Sequence, residues 1–147
     1  MKKILILFIS LLSFNNLSAQ KYTTQYITDA NKVGLEWWNQ VNTEQYEQSY
    51  SKLSDILKSR FTLESWLNQA SRLMNEIGAL ENRTVTNTYF KSELEGIKDG
   101  FYVIVEYDVK YSKTRNHTES LVLKQSDQLE WKILSYHYTF QNLETEE

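Results

Sequence analysis

The chain has 147 residues, with 16 Lys and Arg against 19 Asp and Glu, a formal net charge of −3, no Cys and no Pro. That length suits one domain, and the lack of Cys excludes a disulfide scaffold, a thiolate metal site and a cysteine nucleophile. Aromatic residues reach 14%, with ten Tyr and four Trp, far too many for a disordered polar chain. The acidic balance argues against broad electrostatic binding to nucleic acid, which needs Lys and Arg to displace counterions.

Lys2 and Lys3 precede a nearly unbroken apolar run from Ile4 to Phe14, followed by Leu17-Ser18-Ala19-Gln20. A basic start, a short apolar stretch and a small residue at the junction have the form of a secretory signal. The run of 11 residues is too short to cross a hydrocarbon core of ~30 Å. Residues 1–19 are therefore expected to be a signal peptide cut after Ala19, the alternative being an uncleaved N-terminal anchor. The product would be periplasmic or secreted, with no stable membrane insertion. Residues 20–142 form a single domain on this reading, and residues 143–147 an acidic tail.

Three helical segments come first. Ile27, Ala30, Gly34, Trp37 and Val41 recur at steps of three and four, joined by Val33, with Asp29, Lys32, Glu36 and Asn39 opposite. Gly34 inside this helix hints at close approach by another backbone. Asn42 has the chemistry to cap the next segment, Thr43 to about Ser59, with Gln45 completing a capping-box pattern. The third helix carries Leu63, Trp66, Leu67, Ala70, Leu73, Met74 and Ile77 on one face, with Thr62 as N-cap and Gly78 as C′ residue.

After Gly78 the period becomes two. Ala79 to about Leu94 reads as a strand, and Glu95 to Gly100 as a turn closed by Asp-Gly. Phe101, Val103, Val105, Tyr107, Val109 and Tyr111 then alternate with Tyr102, Ile104, Glu106, Asp108 and Lys110, a half-buried antiparallel strand. Lys113 to Asn116 is a turn, His117 to Gln125 a third strand, and Leu129 to Phe140 a fourth. Helices followed by hairpin-linked strands predict an α+β domain, its N-terminal helices packed on one face of a curved four-stranded antiparallel sheet. Together they would enclose a cone with an open mouth.

The residues Trp37, Asn42, Tyr46, Ser49-Tyr50, Trp66, Arg72, Gly78, Arg83, Gly100-Phe101-Tyr102-Val103, Glu119, Trp131 and Tyr136, in that spacing, resemble an exported bacterial family known as domain of unknown function 4019. The similarity runs from about Ala30 to Tyr138. It departs from the family pattern at Asn42, Glu44, Tyr50 and Ser135, which are cap and packing positions. The resemblance implies a cone of nuclear-transport-factor-2-like or cystatin-like architecture. It implies no reaction, cofactor or partner, and such cones host enzymes and binding modules alike.

Among candidate site residues, His117 opens a strand beside a turn and reads as solvated. Counting by twos from Trp131 gives Ile133, Ser135 and His137, but Leu134, Tyr136, Tyr138 and Phe140 make an equally apolar opposite row. The register of this strand stays open unless a bulge switches sides. Glu106 and Asp108 alternate with an apolar row and read as a solvent face rather than an acid–base pair. No His pair or Gly-containing acidic loop marks a metal site. Ser135 has no strand–turn–helix elbow around it, so it is no triad nucleophile. Phe101, Tyr107, Tyr111 and Trp131 could stack on single-stranded nucleic acid, but without a positive groove they read as core.

The favoured expectation is an exported module that binds a small molecule or another protein. Its ligand-binding mouth would be lined by Tyr107, Tyr111, Ser135 and His137, with no catalytic residue, no cofactor and no metal. One alternative is a small-molecule isomerase or hydro-lyase with His137 as base and a Tyr hydroxyl as donor. Another is a structural homodimer joined through Tyr102 and Ile104.

Overall fold

The computed structural model describes the backbone of residues 2–143 and the side chains of residues 21–143. The side chains of the expected signal, residues 1–19, and the acidic tail from residue 144 onward lie outside the described residues.

Among the described residues four helices precede four strands: α1 (Lys2–Asn42), α2 (Tyr46–Ser51), α3 (Asp55–Lys58), α4 (Leu63–Ile77), β1 (Leu80–Lys91), β2 (Tyr102–Tyr111), β3 (Thr114–Gln125) and β4 (Trp131–Asn142). The strands form one open antiparallel sheet in the order β1-β2-β3-β4. The fold is α+β, with the helices ahead of the sheet in the chain.

The alternation in β2 decides which face is covered. Val103, Val105, Tyr107, Val109 and Tyr111 are buried against the helices together with Leu121 and Leu123 of β3. From α1 come Ala30, Trp37, Trp38 and Val41, and from α4 come Trp66, Ala70 and Ile77. Ser49 ties these layers together. Its carbonyl accepts from the Trp37 indole at 3.1 Å and its hydroxyl from the Trp66 indole at 2.9 Å. Two buried ring N–H groups are thereby satisfied where water cannot reach them.

Both ends of α4 follow their sequence signals. The Thr62 hydroxyl accepts from Ser65 N at 3.1 Å. Gly78, at φ 83° and ψ −157°, ends the helix in a region open essentially to glycine alone.

The expected helix from Thr43 to Ser59 is instead two short ones. Ser54 N donates to Ile133 O at 2.8 Å, and Ile133 N donates to Lys52 O at 2.9 Å. The chain thus leaves the helix to pair with β4, burying Leu53. Asn42 caps nothing: α2 begins after Gln45, with no side-chain cap bond.

The turn expected at Lys113–Asn116 shrinks to Ser112-Lys113, so β3 starts three residues earlier than its expected His117. Gly34 is approached by side chains rather than by backbone. A Cβ there would lie 3.0 Å from Tyr107 Oη and 3.2 Å from a Leu121 methyl.

Candidate functional site

The register of β4 settles where the expected mouth residues go. Leu123 pairs with Ile133 but Val122 pairs with Ser135, leaving Leu134 as an extra, unpaired residue. This bulge reverses the strand's phase. Trp131 and Ile133 face the helices before it, and Tyr136, Tyr138 and Phe140 do so after it. Ser135 and His137 are therefore carried to the opposite face. Counting by twos from Trp131 fails at Leu134, and the two apolar rows of β4 turn out to share one side.

The four expected lining residues are not brought together. Tyr107 and Tyr111 are inside, 2% and 1% exposed, while Ser135 is half-buried and His137 exposed on the outer face. The interior is occupied by the protein's own rings. Trp37 lies 5.8 Å from Trp66 and 5.6 Å from Tyr136, and the space left beside them is about 40 Å³. A drug-sized ligand needs roughly ten times that volume.

Deep in this interior lies a polar cluster that residue spacing alone missed. Arg83 enters from β1 and donates through Nε to Glu119 Oε2 at 2.9 Å, with Nη2 2.8 Å from the same oxygen as an ion pair. The same Nη2 donates to the Tyr111 hydroxyl at 2.8 Å, which in turn donates to Asn42 Oδ1 at 2.8 Å. The guanidinium stands 4.6 Å from the Trp38 ring. A planar cation between a carboxylate and an indole suits Arg and not Lys. The cluster links α1, β1, β2 and β3.

His117 belongs to the same cluster and is not solvated: it is 2% exposed. His117 falls in phase with Glu119, Leu121 and Leu123, all facing inward, and the register shift between Arg115 and Thr118 separates it from Thr114. Its ring lies 4.9 Å from Tyr111 and 5.3 Å from Phe140, and its Nδ1 sits 3.2 Å from Thr114 Oγ1. Nε2 is 3.4 Å from Glu119 Oε1 without hydrogen-bond geometry, so this nitrogen has no hydrogen-bond partner. Counting back by twos from Leu123 would have found both Glu119 and His117.

Burial pushes the Tyr107 and Tyr111 hydroxyls well above the ordinary tyrosine value of 10.0, against the pull of Arg83. At Tyr111 the Glu119 carboxylate adds to that push. Both phenols are thus held neutral, Tyr111 as a relay of hydrogen bonds and Tyr107 with its oxygen unpartnered. The Arg83 and Glu119 side chains are 6% and 1% exposed, and the arrangement is that of a structural clamp.

The outer face has different chemistry. Register lines up Asn87, Glu106, Ser120 and His137 in one row across all four strands, and Thr84, Asp108, Thr118 and Thr139 in the next. The Asn87 amide donates to Glu106 Oε2 at 2.9 Å, and the Thr118 and Thr139 hydroxyls are 2.8 Å apart. From these rows Glu106, Asp108, Thr118, Ser120, His137 and Thr139 line, with Thr86, Tyr107, Glu119 and Tyr138, an open concavity of about 510 Å³ that has no Lys or Arg in its lining. Ser120 stands between Glu106 and His137. An acid beside the hydroxyl, rather than behind the imidazole, does not orient the ring as a nucleophilic triad requires. Among the described residues no group of three His, Asp or Glu could hold a metal ion.

Residues 33–136 match a family described as Protein of unknown function (DUF4019). The chain belongs to this family. Among curated proteins none matches it. The family match spans α1 from Val33 through Tyr136 of β4, so it contains the Arg83–Glu119 clamp, the Ser49 junction and the Leu134 bulge. His137 and Thr139, at the end of the outer rows, fall beyond it.

Proposed function

We propose that the protein is an exported binding module that holds its partner on the open face of the sheet rather than inside a cone. One observation carries this reading: the interior is filled by Trp37, Trp38, Tyr107 and Tyr111, while polar side chains from all four strands line the outer concavity. Glu106 and Asp108 stand there with hydroxyls and the His137 imidazole, and no basic residue offsets them. Such a surface favours a partner that brings positive charge and hydrogen-bond donors. An isomerase or hydro-lyase using His137 with a Tyr hydroxyl finds less support, because the sheet separates His137 from Tyr107 and Tyr111.

Export rests on the Lys2-Lys3 start, the Ile4–Phe14 run and Ala19. Among the described residues no helix is long and apolar enough to cross a membrane. N-terminal sequencing of the exported chain should begin at Gln20.

The binding reading is tested by following backbone amides by NMR while adding spermidine as a cationic probe, with glutarate as its anionic counterpart. Saturable shifts at Asn87, Glu106, Ser120 and His137 with spermidine alone support it, and Glu106→Gln with Asp108→Asn should weaken them. Shifts scattered over the whole surface, or equal with glutarate, overturn it.

A further inference from the structure

The outer face of the sheet carries more than its two polar rows. The next row toward the β1–β2 connection is Tyr89, Ile104, Val122 and Ser135, and the one after it is Lys91, Tyr102, Lys124 and Lys132. The helices lie on the opposite face, so Tyr89 is 43% exposed and Ile104 and Val122 are only half-buried. In the last row Lys124 Nζ stands 5.8 Å from the centre of the Tyr102 ring, and Lys132 pairs with Glu130 at 2.9 Å. Beyond the acidic rows Lys110 is taken up by Glu81 at 2.7 Å. The face is thus divided: Glu106 and Asp108 on one half, lysines on the other, apolar side chains between.

The spacing of these rows is symmetric. Along β1, β2 and β3 the apolar row lies two residues, ~7 Å, from the lysine row and equally far from the row of Glu106. A two-fold axis laid along Tyr89, Ile104 and Val122, in the plane between two facing sheets, exchanges those rows. It stacks the apolar rows of two copies. It also sets Lys91 and Lys124 of each copy over Asn87 and Ser120 of the other, on either side of Glu106. Shape agrees with charge. The β1–β2 connection lies over Tyr102, whose hydroxyl donates to Lys98 O, and so raises the lysine half. The acidic half is the hollow of about 510 Å³. Four strands at ~4.8 Å and ten residues at ~3.4 Å span ~650 Å², or ~1,300 Å² for a facing pair, which is within the range of stable, specific interfaces.

We propose that this face joins two copies of the chain sheet to sheet, with the lysine row of each seated on the acidic rows of the other. The proposal rests on the outer face being a partner surface and names that partner: the positive charge that suits Glu106 and Asp108 comes from a second copy. Such a contact is isologous, using one patch twice. Tyr102, expected at a homodimer contact, is covered by its own chain and is 0% exposed. Ile104 carries that contact instead, together with Tyr89 and Val122.

The test is analytical ultracentrifugation over a range of concentrations, on the chain with the N-terminus it carries after export. A dimer that added salt weakens is expected. Lys124→Glu and Glu106→Lys each bring like charges together and should raise the dissociation constant by about a hundredfold or more. Mixed in equal amounts, the two variants should pair with each other, since each supplies the charge that the other has lost. Lys91→Glu, which faces the same Glu106 from its other side, is a second reversal should Lys124→Glu fail to fold. A monomer at every concentration overturns the proposal. So does a dimer that no reversal weakens, which would put the contact elsewhere, such as the open edge of β1. Failure of the mixture to pair, with both variants folded by circular dichroism, overturns it too. Lys124→Glu keeps Glu106 and Asp108, so spermidine titration of that variant reads the outer face without the dimer, and failure of the second copy is told apart from failure of the partner surface.

Discussion

Arg83 and Glu119 meet at 2.8 Å with their side chains 6% and 1% exposed, a fully enclosed ion pair joining an edge strand to the third strand across β2. Removing one partner leaves the other charge buried without compensation, at a cost of ~3–5 kcal/mol. Arg83→Met is therefore expected to lower stability by about that much in urea unfolding. Arg83→Met combined with Glu119→Leu should recover a large part of the loss. If the double variant proves no better than the single one, desolvation of Glu119 is not the source of the cost.

Gly34 and Tyr107 should show coupling of a different kind. A methyl at Gly34 meets Tyr107 Oη at 3.0 Å and a Leu121 methyl at 3.2 Å, tight against residues with no room to retreat. Overpacking of this kind costs ~1–3 kcal/mol, against a gain in helix propensity of at most ~1 kcal/mol. Gly34→Ala is expected to destabilise slightly and Gly34→Val clearly. In a Tyr107→Phe background, which removes the contacting oxygen, Gly34→Ala should cost less. A double-mutant cycle of melting temperatures measures this coupling.

Gly78→Ala is expected to cost ~1–3 kcal/mol for backbone conformation alone. The added Cβ would also press on Ser112 Oγ, the acceptor for Ala79 N at 2.9 Å. Both losses fall on the joint between α4 and β1, so hydrogen exchange should quicken first at Ala79 and Ser112.

The buried tyrosines set the behaviour in alkali. Tyr107, Tyr111 and Tyr136 ionise less readily in the folded chain than the ordinary 10.0, chiefly because they are buried. Above pH ~10 the unfolded chain releases these protons first, so it binds fewer than the native state and stability falls as pH rises. Below that value their contribution is complete. Phenolate absorbance is expected to rise in two stages, exposed rings first and buried rings together with loss of structure. Smooth titration of all ten Tyr with the fold intact would contradict this.

Much of the fold is legible in the sequence because its elements obey local rules. β2 alternates without a fault from Val103 to Tyr111, and α4 carries its own start and stop at Thr62 and Gly78. What escapes is set by contacts between distant segments. Lys52 and Ser54 leave helical geometry to pair with Ile133, a partner some eighty positions away that no window around them contains. Asn42 has the chemistry of a cap, but Tyr111 takes its oxygen. The candidate site suffers most. His117 reads as solvated from its place beside a turn, but β3 begins at Thr114 and holds it within the strand. A count by twos that sets His137 and Ser135 with Tyr107 and Tyr111 is broken by one unpaired residue, Leu134. The rows on the outer face need the register of four strands at once, which periodicity within a single strand does not contain.

The extra residue at Leu134 makes the length of β4 as important as its composition. Deleting it would turn Ser135, His137 and Thr139 toward the helices and expel Tyr136, Tyr138 and Phe140, losing the packing against Trp66 and the outer polar rows in a single event. Side chains on either half of the strand can be exchanged one at a time with local effects. A gain or loss of one position between them cannot, so in relatives of this chain the spacing from Ile133 to Tyr136 should stay constant even where the residues themselves change.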